Sequence, residues 1–442
     1  MLANHPKDSA VHRAAIVGRL FQVQSFENEL ILEDKSHTAI VFEPVSGKIL
    51  DVVAKDTLNL DAADIYDYGD KLLVPGFIDC HTHYPQVDMI GAYSGELLDW
   101  LREHTFVQEE RFINQEDEAR LAAKRFIGEL FRNGTTSSVV FGSTCGLSTN
   151  ILFEEMDQAG GRMITGKVSM DRNAPDHLLS DWRDDIDAQR QLINKWHKKS
   201  DRLRYALSPR FAPTSTPEAL QALGDLAKSD SDLYVQTHYA ENHDEIAWVK
   251  QLFPDCRDYL DVYETNSLLR KKTILAHGIH TSSDEKKRML DAGCLLSHCP
   301  TSNLFLGSGL FEGREHILQG HNIGLGTDVG AGTSFSLWQT MAEAIKISKL
   351  RGQQITPEEA FYWATVGGAK GLGWDHDVGV LTPGKKLDLQ VIDLEAKPDL
   401  QARISQCESS QQVLSALIFS ADDRNLHRLW VDGKDVFPQV NS

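Results

Sequence analysis

His81-Thr82-His83 is a pair of metal-binding side chains at a spacing that lets them act together. Residues i and i+2 of a β-strand point to the same face, so both imidazoles reach one point if the segment is extended. His238, His277 and Asp328 follow, each at the end of its own short apolar run. Neutral imidazoles with a carboxylate form a donor set for a hard or borderline divalent ion: Zn2+ first, with Fe2+ or Mn2+ also compatible. Such an ion leaves a position for water and lowers its pKa towards ~7, which makes hydroxide available near neutral pH. Glu241 stands three residues after His238, placed to move a proton between that water and a substrate heteroatom. The chemistry these residues suit together is hydrolysis.

For residues so far apart to meet, a regular scaffold must bring them to one place. Short apolar, β-branched runs occur at Leu72–Ile78, Thr135–Phe141, Arg162–Met170, Leu203–Leu207, Leu233–Thr237, Thr273–Ala276, Cys294–Ser297 and Ile323–Gly326. Helical patterns lie between several of them. Glu116–Arg132 carries Ala119, Leu121, Ala122, Phe126, Ile127, Leu130 and Phe131 along one side, and Pro217–Ala227 and Ser283–Ala292 are similar. Strand–helix alternation predicts a parallel sheet, and eight units over roughly 250 residues match an α/β fold of the (β/α)8 TIM-like barrel type. An open doubly wound sheet is the rival architecture. The runs are followed in turn by His81 and His83, Ser143, Asp171, Arg210, His238 and Glu241, His277 and His280, His298, and Asp328. In a barrel all of these face the carboxyl end of the strands, where active sites of this fold sit.

Both chain ends carry β-type segments of another style. Ala39–Phe42 and Lys48–Ala54 flank the turn-like Pro44–Gly47, and Leu387–Asp393 and Arg428–Val431 recur near the end, the last followed by the hairpin signal Asp432-Gly433. The expected organisation is a small β-sandwich domain from both termini, residues 1–72 and 375–442, around a barrel of residues 73–374. Helical patterns at Leu337–Lys349 and Pro357–Ala369 close the barrel.

The formal net charge of the 442-residue chain is −19, so its field repels phosphate backbones and anionic lipid heads. No nucleic-acid partner and no membrane partner are expected. Met1–Ala15 is polar, without the apolar core of a signal peptide, and no apolar run approaches the ~18 residues of a membrane span. The six cysteines lack the spacing of a disulfide framework, which fits a reduced, cytoplasmic setting.

Several segments carry a resemblance. Pro75-Gly76-Phe77-Ile78-Asp79-Cys80-His81-Thr82-His83, the isolated His238 and His277, and Gly326-Thr327-Asp328 resemble the amidohydrolase superfamily of metal-dependent hydrolases. Within it, His83-Tyr84-Pro85-Gln86, Met170 to Asp176, Pro209 to Thr214, Thr237 to Asn242, Ser297 to Leu304 and Gly326 to Thr333 are similar to the guanine deaminases. The similarity runs over nearly the whole chain and is weakest in its first seventy and last fifty residues. It implies one zinc per subunit on His81, His83, His238 and Asp328, with His277 beside the water or as a further ligand. It implies Glu241 as proton shuttle, with His277 and Asp328 orienting and deprotonating water. It also implies that Gln86, Arg210 and Phe211 hold a purine, together with Glu241 and His277. The activity it implies is hydrolytic deamination of guanine to xanthine and ammonia by a homodimer. Rival readings are another aromatic-amine deaminase of the superfamily, acting on 8-oxoguanine, cytosine or a triazine, and a catalytically dead scaffold of the same fold.

Other signals are weaker. His298 is read as touching substrate or supporting the seventh strand end, Asp171 as ordering the mouth, and His243 and His280 as peripheral. Cys80 and Cys299 are read as buried small side chains. Leu97, Leu98, Trp100, Leu101 and Phe106 are placed to cap the pocket, to pack a loop helix or to form a dimer contact. Gly324-Leu325-Gly326 lacks the third glycine of a dinucleotide loop.

Overall fold

The computed structural model describes residues 12–26, 29–61 and 64–437. The polar amino-terminal segment read above as lacking a leader core falls outside them as far as residue 11. The chain opens with strands β1 (Ala14–Phe26), β2 (Glu29–Glu43), β3 (Lys48–Ala54) and β4 (Ile65–Pro75). The barrel strands follow: β5 (Phe77–His83), β6 (Thr135–Phe141), β7 (Arg162–Gly166), the short β8 (Val168–Ser169), β9 (Leu203–Pro209), β10 (Tyr234–Tyr239), β11 (Thr273–His277), β12 (Leu295–His298) and β13 (Asn322–Leu325). Strands β14 (Leu389–Ile392), β15 (Leu426–Val431) and β16 (Lys434–Asp435) end the described chain.

Among the described residues, β5, β6, β7 and β9 to β13 pair side by side in chain order, all parallel. The ends of this sheet meet through backbone hydrogen bonds, Asp328 N–H to His81 O at 2.8 Å and His83 N–H to Val329 O at 3.0 Å. The result is the expected nearly closed barrel rather than an open doubly wound sheet. Its strands are buried on both faces, which is why they read as unbroken apolar runs. Lys167 interrupts the third run, so Arg162–Met170 forms two strands instead of one.

The terminal strands form one sheet in the order β16-β15-β14-β4-β1-β2-β3, uniting the two chain ends as a small sandwich-like layer. Strand β4 shows how it holds the barrel. Leu73 enters a core with Ile16, Phe42, Leu389 and Trp430, whereas Leu72 and Val74, one residue to either side, join the large core shared with the barrel helices. Each buried leucine contributes ~1.5–3 kcal/mol relative to exposure. The expected strand Leu72–Ile78 is corrected here: it is two strands, divided at Gly76. A Cβ at Gly76 would lie 2.2 Å from Thr136 Oγ1, so only glycine lets the chain turn from sheet to barrel against β6.

The helices obey their local signals. Ser282 caps Ser283–Ala292 in a capping box with Glu285, and Gly293 ends it in the left-handed region at φ 70°. Glu116–Arg132 opens with three acids against its positive end and buries Ala119, Ala122, Phe126, Ile127, Leu130 and Phe131. Leu121 does not belong to that face. It is 63% exposed, because a residue two positions from Ala119 falls about 200° round the helix. Pro357–Ala369 is broader than one regular helix: Pro357–Tyr362 passes through a wide turn at Trp363–Gly367 into Gly368–Leu372. No helix among the described residues is long and apolar enough to cross a membrane.

Candidate active site

Strand β5 delivers His81 and His83 to one side, their Nε2 atoms 3.2 Å apart. From β10, His238 Nε2 comes within 3.2 Å of His83 Nε2. Asp328, just after β13, places Oδ1 3.1 Å from both His81 Nε2 and His83 Nε2. From β11, His277 Nε2 lies 3.8 Å from Asp328 Oδ2 and 3.4 Å from Glu241 Oε2. One atom each of His81, His238, His277 and Asp328 falls within 4.8 Å of the others. His277 therefore stands inside the cluster and not at its margin, and His83 is no farther out, being 3.1–3.2 Å from three members.

The outer contacts orient the rings. His238 Nδ1–H donates to the carbonyl of Arg210 at 2.7 Å, and His277 Nδ1 pairs with Asn303 Oδ1 at 2.9 Å. Each bond fixes a tautomer whose Nε2 lone pair faces inward. His277 Nε2 is buried without a hydrogen-bond partner. A buried unpaired acceptor aimed at other donors is costly in isolation, and a bound cation relieves it. Burial lowers His83 to about 4, and burial with the neighbouring imidazoles holds His238 well below its usual range, so both are neutral ligands near pH 7. Burial would raise Asp328, but His81 and the hydrogen bonds from His81 and His83 outweigh it and keep the carboxylate ionised. The residues present thus fit a divalent cation.

Ala240, His277 and Asp328 adopt positive φ values of 48°, 70° and 52°. Non-glycine residues there cost of order 1 kcal/mol or more, and three of them at the ends of β10, β11 and β13 show backbone strain concentrated where the chemistry is.

Glu241 is buried. Burial first, then the Asp328 charge, push its carboxyl up to about 8 against the opposing hydrogen bond from Ser308 Oγ, 2.8 Å away. A carboxyl poised near neutrality both gives and accepts a proton. Its backbone is held by Glu245, whose Oε2 accepts from the N–H of Glu241 at 2.9 Å and of Asn242 at 3.2 Å. Asp79 plays a similar part under Asp328: it accepts from the N–H and hydroxyl of Thr327 and from the N–H of His81.

A cavity opens beside the cluster. Gln86, Arg210, Phe211, Glu241 and Glu245 line it together with Leu97, Trp100 and Leu101, three of the five apolar side chains for which capping was one expectation; Leu98 and Phe106 are not in the lining. Phe211 is held edge-on by Trp248, with ring centroids 6.1 Å apart.

Sequence reasoning missed four of these side chains. Glu109 receives Gln86 Nε2–H at 3.0 Å and Arg210 Nη1–H at 2.8 and 2.9 Å. Glu245, Ser308 and Asn303 hold Glu241 and His277. Asn242-His243-Asp244-Glu245 is a capping-box pattern that marks Glu245 in the sequence, whereas nothing local marks Glu109. His298 is buried at the end of β12 and stacks on Phe311 with centroids 4.5 Å apart. Asp171 accepts hydrogen bonds from the N–H and hydroxyl of Thr216, the cap of the helix Pro217–Ser229, and so ties the loop after β8 to the loop after β9. His243 and His280 lie tilted against one another, ring centroids 3.8 Å apart, and neither lines the cavity. Cys80 and Cys299 are free and buried.

The amidohydrolase family model matches residues 72–436. The chain is 45% identical over 377 residues to the guanine deaminase of Escherichia coli, covering 85% of each protein. A solved E. coli guanine deaminase superposes with a TM-score of 0.91 at 39% identity, over 96% of this chain and 99% of that one. A guanine deaminase from C. acetobutylicum with bound guanine in the active site gives 0.87 at 31% identity, over 96% of this chain and all of that one. The chain therefore belongs to the amidohydrolase family, on the branch of the guanine deaminases, and is a hydrolase of carbon–nitrogen bonds.

Proposed function

We propose that this enzyme converts guanine and water to xanthine and ammonia, with one zinc ion per subunit held by His81, His83, His238 and Asp328 and with His277 beside it. The observation that carries the proposal is the convergence of these five side chains on one point, next to a pocket walled by Gln86, Arg210 and Phe211. Zn2+ suits the three-imidazole, one-carboxylate donor set best, and Fe2+ and Mn2+ are the alternatives. When bound, the ion supplies Lewis acidity that makes water nucleophilic near neutral pH.

The protein's own groups then act in order. Gln86 and Arg210 pair with the polar edge of the ring and Phe211 covers its face, setting the carbon that bears the exocyclic amine towards the cluster. Asp328 and His277 orient the attacking water and take its proton. Glu241 delivers its proton to the adjacent ring nitrogen as the carbon–oxygen bond forms. On collapse it takes the proton left on that oxygen, the proton first passed to Asp328 and His277 moves to the amine, the carbon–nitrogen bond breaks, and ammonia leaves while the oxygen of water stays on the ring. A pocket that pairs buried polar groups with the guanine edge rejects rings lacking those partners, by up to ~10⁴ or more.

We take barrel residues 73–374 to supply this machinery, the terminal sheet of β1 to β4 and β14 to β16 to brace it, and the enzyme to work as a cytoplasmic homodimer. Ammonia release from guanine, 8-oxoguanine, cytosine, adenine and a chlorotriazine, measured with metal content before chelation and after zinc return, tests the activity. Guanine is expected to be turned over fastest and only with metal present. Turnover of another ring but not guanine sinks the proposal, as does full activity without metal. Light scattering tests the dimer.

A further inference from the structure

We infer that Glu109 is a positioning and specificity-determining residue, which fixes the amide of Gln86 and cancels the charge of Arg210 so that the pocket takes a neutral heteroaromatic ring. The inference rests on the guanine reading above.

Glu109 is 3% exposed and belongs to the helix Phe106–Glu110, in the stretch that also carries Leu97, Trp100 and Leu101 over the cavity. Its carboxylate accepts one hydrogen bond from Gln86 Nε2 and two from Arg210 Nη1. On its other side, Gln86 Oε1 accepts the N–H of Gly330 at 3.0 Å. A glutamine amide has two orientations. Gly330 requires an acceptor and Glu109, an acceptor only, requires a donor, so one orientation satisfies both and the opposite one satisfies neither. The remaining Nε2–H of Gln86 is thereby available to an acceptor in the cavity. Gly330 is itself confined, since a Cβ there would meet Gln86 O at 2.8 Å and Met89 Cγ at 2.6 Å.

The charge argument runs in parallel. Arg210 is buried, and beside an ionised carboxylate its guanidinium adds no net charge to the wall. Its fork still has at least three further N–H donors, so it keeps directional recognition without attracting anions. Replacing Glu109 by glutamine leaves Arg210 uncompensated and removes the constraint on the Gln86 amide, with the side-chain volume retained.

The test is Glu109→Gln in the metal-loaded enzyme, checked for wild-type metal content and thermal midpoint. The expected KM for guanine rises ~10-fold or more, the effect of disordering a buried charge-assisted hydrogen-bond set, while kcat falls less. Inhibition by hypoxanthine, which is neutral, and by urate, an anion near neutral pH, is the second readout. The urate-to-hypoxanthine affinity ratio is expected to rise ~10-fold, which a purely structural role would not produce. A folded, metal-loaded Glu109→Gln variant with unchanged KM and unchanged inhibitor ratio overturns the inference and leaves the guanine reading standing. Failure of the wild type on guanine overturns that reading and this inference together. If Glu109→Gln does not fold, Glu109→Asp decides: the shorter carboxylate keeps the charge but not the reach to Gln86, so KM must rise while the ratio stays at its wild-type value, and an unchanged KM overturns the inference.

Discussion

Two polar clusters in this barrel share deep burial and a central aspartate and behave oppositely. In the wall behind β7 and β8, Lys167 pairs with Asp185, Asp185 also accepts from Ser169, and Gln189 bonds Lys167 O, Ser169 Oγ and the Tyr205 hydroxyl. Lys167, Asp185, Gln189 and Tyr205 are all buried, and their polar side-chain atoms have partners. In the mouth, His81, His83, His238, His277 and Asp328 crowd their donor atoms round a common centre at 3.1–3.8 Å, and the His277 Nε2 has no hydrogen-bond partner. A closed network holds two stretches of chain together; an open one is incomplete until something enters it. Burial and charge alone do not separate the two. The direction of the unsatisfied atoms does.

The sharpest way to break the comparison is to remove a member of the open cluster. His238→Ala is expected to lose bound metal and to lose more activity than the ~10–100-fold typical of disturbing a metal site's outer partners, while keeping its fold. Metal analysis and ammonia release check this, and an active, metal-loaded variant would place the cation elsewhere. Glu241→Gln is next. It should keep its metal and lose ~10²–10⁴ in kcat, since only proton transfer is removed. Near-wild-type turnover in that variant would exclude Glu241 as the shuttle.

The closed network should respond in the other currency. Lys167→Met leaves Asp185 buried without its cation, and the expected loss is ~3–5 kcal/mol of stability by denaturant midpoint, with guanine turnover unchanged at 25 °C. A loss of turnover without loss of stability would show that the two clusters communicate.

The last effect, ~2 kcal/mol between pH 6.5 and 5, concerns pH. His316 is fully buried beside Phe311, and burial, with the charge of His321, lowers it to about 3. Unfolded, it titrates near 6.5, so below that pH the unfolded chain binds the extra proton. Stability is full above pH 6.5 and falls by up to ~1.4 kcal/mol per pH unit as the pH drops towards about 3. His316→Phe is expected to flatten this slope between pH 6.5 and 5, as read by thermal midpoints. An unchanged slope assigns the acid sensitivity to other groups.

Much of this was legible in the residues. The strand ends carrying His81, His83, His238, His277 and Asp328 were visible because β-strands alternate and barrel strands are short apolar runs with polar terminators. The helical patterns read from Ser283 and Pro357 start where capping boxes at Ser282 and Thr356 open those helices. Local rules failed where tertiary packing intervenes. Leu72–Ile78 reads as one strand, yet it is shared between two layers because Gly76 turns the chain against Thr136. Leu121 reads as core in a run of apolar residues, yet the helix points it to solvent.

The sequence by itself determined the donor types, their order at the strand ends and the barrel that gathers them, because each depends on contacts within one strand or one helical turn. Only the tertiary structure decided that His277 stands inside the cluster and that Glu109 joins Gln86 to Arg210 across separations of 23 and 101 residues. Such contacts depend on how whole elements pack, and a carboxylate in a short loop helix carries no local mark of the guanidinium it will meet.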